Sequence, residues 1–222
     1  MRKRRGLAVA AWVLGPLGLA ILVGSLLYVR LAYTGVTVAG EGMAPTYTIG
    51  QRLVVERMDG DEVRRGDVVL YDVPERHMRG AVLQRVIAVG GDHIVCCGGD
   101  GADEVITVNG RALDEPYVKD GIADGAHRPY DVRVPAGRLF LMGDHRVNSN
   151  DSRFHQSEPH QGTVANGAVL GRVVDGFGGA GVWIAVALFG LVLAVAGLGF
   201  GIAALVVRRQ RRPAMPPWPV GV

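Results

Sequence analysis

Two long stretches without a single charge stand at the two ends of this chain. No charged residue falls between Arg5 and Arg30, and none between Asp175 and Arg208. A helix crossing a hydrocarbon core of roughly 30 Å needs about 20 apolar residues, and each gap is long enough. The pattern predicts membrane spans over 7–29 and 180–207, a basic N-terminus over 1–6, a domain outside the membrane over 33–179, and a basic, Pro-rich tail over 208–222. A cleavable signal peptide is the rival for the first span. Its apolar core, however, exceeds the usual length of about 7 to 15 residues, and Tyr28-Val29-Arg30-Leu31 offers no small-residue cleavage site.

Charge supplies an orientation. Arg2, Lys3, Arg4 and Arg5 precede the first span, and Arg208, Arg209, Arg211 and Arg212 follow the second. Basic flanks mark the cytoplasmic side, which predicts a two-pass protein of the cytoplasmic membrane with both termini inside. Tyr28, Tyr33 and Trp183 are expected in the aromatic belt. The net charge of the whole chain is +3, yet every acidic residue lies in the middle segment, which is therefore net negative. The basic balance reports topology, and nucleic acid is not an expected partner.

The middle segment reads as short strands separated by turn residues. They are expected at 37–39, 52–57, 67–71, 81–89, 93–97, 105–108, 132–134, 138–142 and 169–174. Asn109-Gly110 between Ile106-Thr107-Val108 and Arg111-Ala112-Leu113 is a hairpin signal, because a primed turn needs positive φ at both central residues. The fold class is thus mainly β, an antiparallel sheet or small barrel flanked by two transmembrane helices. Tyr117 to Tyr130 reads as loop. The only cysteines, Cys96 and Cys97, are adjacent. They could close a small ring, bridge to another chain or stay reduced. No second Cys pair or spaced His pair accompanies them, so no metal and no cofactor are expected, and His155 and His160 read as surface residues.

Four stretches carry a family resemblance. They are Gly40-Glu41-Gly42-Met43-Ala44-Pro45-Thr46, Arg65-Gly66-Asp67-Val68-Val69, Leu83-Gln84-Arg85-Val86-Ile87-Ala88-Val89-Gly90-Gly91-Asp92, and Gly143 to Arg153 with Asp144, His145, Arg146, Ser149 and Asp151. In this order, behind an N-terminal span, they resemble the type I signal peptidases, serine proteases that remove signal peptides at the outer membrane face. That chemistry uses a serine hydroxyl as nucleophile and a neutral lysine amine as base.

The resemblance places the serine at Gly42 and the lysine at Gln84. Glycine has no side chain to attack with, and an amide does not titrate usefully. Asp151 and Arg153 resemble an ion pair that braces the site, and Ser149 resembles the hydroxyl that bonds the lysine. Gln84 is then expected to donate to Ser149. Gly40 resembles a position whose backbone serves oxyanion binding. Without a nucleophile, its φ freedom is expected to serve only the turn. Met43 and Tyr47 are expected near the membrane face. Asp144, Arg146, Asp151 and Arg153 also read as salt bridges of the loop.

The resulting expectation is a membrane-anchored signal peptidase homologue without catalysis. It would keep a groove for extended peptides with small side chains, with the bilayer, signal peptides of preproteins or an active paralogue as partners. The rival expectation is an active signal peptidase with a rewired site. Thr46 and Ser149 offer hydroxyls, His145 is a candidate base, and the only lysines are Lys3 and Lys119.

Overall fold

In the computed structural model, which describes residues 2–76, 80–98, 104–174 and 178–210, the two apolar runs are helices: α1, Arg2–Ala32, and α2, Gly178–Gln210. The part of the expected basic tail beyond residue 210 lies outside the described residues. Within α1 and α2, segments Arg5–Ala32 and Gly179–Arg209 are long and apolar enough to cross a membrane, and only 6% and 11% of their most apolar windows are buried. A core helix of a water-soluble domain would hide most of that surface. Trp12, Val192 and Leu198 instead point outward.

Glycine permits these helices to meet closely. A Cβ on Gly18 would stand 2.3 Å from the Ala194 nitrogen, and one on Gly197 would stand 2.4 Å from the Gly15 nitrogen. Small residues let helix backbones approach where lipid offers no hydrophobic drive. Tyr28 and Trp183 bring their rings together at 4.2 Å between centroids.

Residues 32–176 form a second compact unit. Its strands are β1 (Tyr33–Thr37), β2 (Arg52–Glu56), β3 (Val68–Tyr71), β4 (Val82–Val89), β5 (His93–Gly98), β6 (Val105–Val108), β7 (Arg111–Ala112), β8 (Tyr130–Arg133), β9 (Arg138–Met142), β10 (Val164–Ala165) and β11 (Val169–Val174). They make a seven-stranded sheet in the order β1-β2-β11-β3-β4-β9-β10 and a four-stranded sheet in the order β7-β6-β5-β8. Every pairing is antiparallel, and both sheets are open rather than closed into a barrel.

Side-chain alternation accounts for the layers. In β3, Val68 and Leu70 join one apolar cluster with Val38, Met43, Tyr47, Leu53 and Val55, while Val69 and Tyr71 join another with Val86, Leu139 and Leu141. Successive strand residues face opposite sides, so a strand with four apolar residues in a row is buried on both. A third cluster packs Ile94, Ile106 and Val132 against Phe140 and Met142. The Asn109-Gly110 turn forms as the sequence requires, with φ of 53° and 74° and Val108 paired to Arg111.

Two expectations change. The first strand begins at Tyr33 rather than at residue 37, and Tyr33 pairs with Glu56 and is buried. His155 is half-buried, with Nδ1 2.8 Å from Glu158 Oε1, because the 3-10 turn at Ser152–His155 folds it inward. His160 is exposed as expected.

Candidate functional site

Antiparallel register decides what faces Gln84. The residue sits on β4 opposite Val69 of β3, which makes Tyr71 its diagonal neighbour. Gln84 is 2% exposed. Its Oε1 accepts from the Tyr71 hydroxyl at 2.7 Å, and its Nε2 donates to the Asn150 carbonyl at 2.8 Å and to Ser149 Oγ at 3.4 Å. The expected contact with Ser149 forms, but the shorter bonds run to Tyr71 and Asn150. An amide matches this set of partners without burying a charge. Burial pushes the Tyr71 phenol well above the ordinary tyrosine range, so it stays a donor.

Gly42 faces the same place from the other side. A Cβ there would lie 3.5 Å from the Asn148 carbonyl and 3.8 Å from Ser149 Oγ, ordinary contact distances, and the Gly42 φ is not positive. A side chain would therefore fit and would point toward Ser149. Gly143 behaves oppositely. Its Cβ would meet Ser149 Oγ at 2.3 Å and the Gly42 carbonyl at 2.4 Å, so only glycine lets β9 lead into the site loop this close to Gly42. Gly40 is exposed, has open space where a Cβ would be, and does not have positive φ, so the turn makes no use of glycine's special freedom there.

The four sequence stretches meet at one buried ion pair. Arg85 donates from Nε to Asp144 Oδ1 at 2.8 Å and from Nη2 to Oδ2 at 2.6 Å. Thr46 donates to Asp144 Oδ2, and the Gly66 carbonyl accepts from Arg85 Nη1 at 2.9 Å. The Arg85 guanidinium also lies 4.0 Å over the Tyr117 ring. Burial would pull the Arg85 guanidinium down, but the Asp144 carboxylate reverses this and holds it above the ordinary range. Pro45, after a cis peptide, carries the 42–46 turn into this contact.

A second network braces the loop that bears Ser149. Arg153 donates from Nη2 to Asp151 Oδ2 at 2.7 Å, which forms the expected pair, and also from Nη1 to Asp124 Oδ1 at 3.1 Å. Arg146 makes a two-pronged bond to Glu115 at 3.0 and 2.6 Å. Asp151 Oδ2 accepts from the Gly143 N–H at 3.2 Å. Burial works against the Arg153 charge, and Asp151 with Asp124 more than compensates, lifting it above the arginine range.

All four loop residues expected in salt bridges form them. Asp144 pairs with Arg85 of β4 and Arg146 with Glu115, so both leave the loop; only Asp151 and Arg153 pair inside it. Tyr71, Glu115 and Asp124 are site-supporting residues that local pattern missed. No local signal pointed to them, since the register of β3 against β4 and the packing of the loops decide these contacts.

None of the alternative reactive groups reaches Ser149 among the described contacts. The His145 Nδ1 bonds the Glu41 carbonyl at 3.3 Å, which leaves Nε2 to accept from the Lys119 amine, also at 3.3 Å. Lys119 is thus closer to the site than its loop position suggested, yet it ends on His145. Thr46 is engaged by Asp144.

Beside Gly42, Gln84 and Ser149 lies a cleft of about 430 Å³, walled by Val36–Gly40, Leu70 and Ala81–Leu83. β9 pairs with β4 only from Arg85 onward, so the β9-side edge of 82–84 carries no partner strand among the described residues.

A family model described as signal peptidase, peptidase S26, matches residues 9–175. Signal peptidase I of Bacillus caldolyticus is 30% identical over 154 residues, spanning 64% of this chain and 77% of that protein. Probable signal peptidase I of Mycobacterium leprae is 28% identical over 212 residues, spanning 69% and 72%. Among solved structures, a signal peptidase I from Enterococcus faecalis aligns with a TM-score of 0.38 at 22% identity, covering 51% of this chain and 97% of that one.

Proposed function

This chain belongs to the signal peptidase, peptidase S26, family, and from that premise we propose that it is a membrane-anchored member that binds signal-peptide-like segments without cutting them. The observation that carries the reading is the pairing of a side-chain-free Gly42 with a Gln84 whose amide is already matched by Tyr71, Asn150 and Ser149. Acyl transfer needs an attacking atom and an aligned proton acceptor. Ser149 has a hydroxyl, but the group that faces it is an amide N–H, which donates and does not accept.

Binding needs less. The open edge at 82–84 and the cleft beside it suit an extended peptide added as a strand, with small side chains turned into the apolar wall. The positive-inside rule supports two spans with both ends cytoplasmic and the β domain outside, where preproteins emerge.

The test uses the full chain in detergent with a fluorogenic signal-peptide substrate and a photo-crosslinking version of the same peptide. The unaltered chain crosslinks the peptide without cleaving it, and the Gly42→Ser, Gln84→Lys double variant cleaves it. Cleavage by the unaltered chain overturns the proposal in favour of a rewired peptidase. Absence of crosslinking leaves a structural membrane protein instead.

A further inference from the structure

Cys96 and Cys97 on β5 form a disulfide with each other. Cys96 is buried in the cluster of Tyr130, Val132 and Met142, and Cys97 is half-buried at its margin. Both sulfurs and a carboxylate oxygen of Asp124 lie within 4.8 Å of one another. With the sulfurs bonded to each other, no thiolate is left to ligate a metal. Asp124 is 0% exposed and is the residue through which the 119–126 loop holds Arg153.

The contacts then continue without a break. Arg153 holds Asp151, Asp151 accepts from the Gly143 N–H, and Gly143 packs against Ser149 and Gly42. A run of buried polar groups thus joins the sulfurs to the floor of the cleft. The peptide-binding reading uses none of the sulfur chemistry.

We infer that Cys96–Cys97 is a thiol–disulfide exchange site whose state sets the order of the 119–126 and 143–153 segments. Its reactant is a dithiol. One thiolate attacks the more accessible Cys97 Sγ, the S–S bond breaks, and Cys96 Sγ leaves with the electron pair and takes a proton. The second thiol then attacks the sulfur of the mixed disulfide that came from the reagent. Cys97 Sγ leaves as a thiol, and the reagent becomes a disulfide, two electrons having passed to the protein.

Two free thiols keep van der Waals separation where one covalent bond held the sulfurs. Interiors are packed too densely to absorb this without displacement. Cys96 is enclosed, so the space comes from Cys97 turning outward or from the Asp124 carboxylate moving away. An outward Cys97 opens space beside the Asp124 carboxylate and a displaced Asp124 leaves its place, so either motion loosens the packing that holds Asp124 against Arg153.

The experiment follows the intact chain in detergent, prepared without reductant. Denaturation with iodoacetamide yields no cysteine adduct before dithiothreitol and two after it. Native hydrogen exchange in the 119–126 and 143–153 segments accelerates about ten-fold or more on reduction, while amides of β2 and β3 keep their rates. The Cys96→Ser, Cys97→Ser variant shows the fast pattern without reductant. Two adducts on the untreated chain, equal exchange in both redox states, or acceleration spread evenly over both sheets would each overturn the inference. Since the readout is exchange and not peptide capture, a failure here is distinct from a failure of the binding proposal.

Discussion

The residues beside the cleft and the brace around them are built on opposite electrostatic terms. At Gly42, Gln84 and Ser149 every group is neutral, and each amide or hydroxyl partner is matched by another neutral group. One layer away, Arg85, Asp144, Arg146, Asp151, Arg153 and Asp124 are charged residues arranged as bonded pairs, all but Arg85 having less than a tenth of their surface exposed. Removing one partner from a buried pair leaves an uncompensated charge, whereas exchanging a reactive group for a neutral one leaves none. On the proposed reading, this difference explains how chemistry can be lost while the scaffold that served it stays intact.

The comparison breaks most visibly if chemistry returns. Gly42→Ser with Gln84→Lys is expected to raise turnover of a signal-peptide substrate by about a million-fold, the scale on which nucleophile and base act as a unit. Either change alone should stay at background, and a kinetic assay of the three variants checks this non-additivity. In the brace, Arg153→Met strands Asp151 and Asp124 and lowers the unfolding free energy by about 3–5 kcal/mol, read from denaturant midpoints.

Smaller effects mark the boundary between the two regions. Gly143→Ala drives a methyl group into Ser149 and the Gly42 carbonyl, costing about 1–3 kcal/mol and weakening peptide crosslinking. Tyr71→Phe leaves the buried Gln84 Oε1 without its donor and costs about 1–3 kcal/mol.

The smallest effect is a pH dependence at Asp92, which pairs with Arg65. Burial raises the Asp92 carboxyl, but bonds from Arg65, the Val89 N–H and Asn109 outweigh it, so the folded value lies below the usual one. A depressed carboxyl stabilises the fold above its unfolded value of about 4, and that contribution disappears as pH falls through the folded value. Asp92→Asn should therefore flatten the acid limb of stability below about pH 4 in urea midpoints measured from pH 6 to pH 2.

Much of the site was readable before any fold. Gly42 and Gln84 stand in two of the four stretches that carry the family resemblance, and a Gln beside a Ser is chemically suited to the neutral contact that forms. Asp151 and Arg153 are close in sequence, so their pairing needs only a tight turn. Glu115 and Asp124 were invisible because Tyr117 to Tyr130 and its approach carry no period, and a loop's composition does not say what it packs against. Tyr71 reads from sequence as one more apolar strand residue, and its hydroxyl acquires meaning only when β3 lies beside β4.

By itself, the sequence determined the two apolar spans, the alternating strands and the Asn109-Gly110 turn. Those are properties of neighbouring residues, dictated by helix length, strand period and allowed φ. Only the tertiary structure decided that Arg146 meets Glu115 31 residues away, that Arg153 meets Asp124 29 residues away and that Arg85 meets Asp144 59 residues away. Such partners are chosen by sheet register and loop packing, where a charge must find its counterpart before it can be buried.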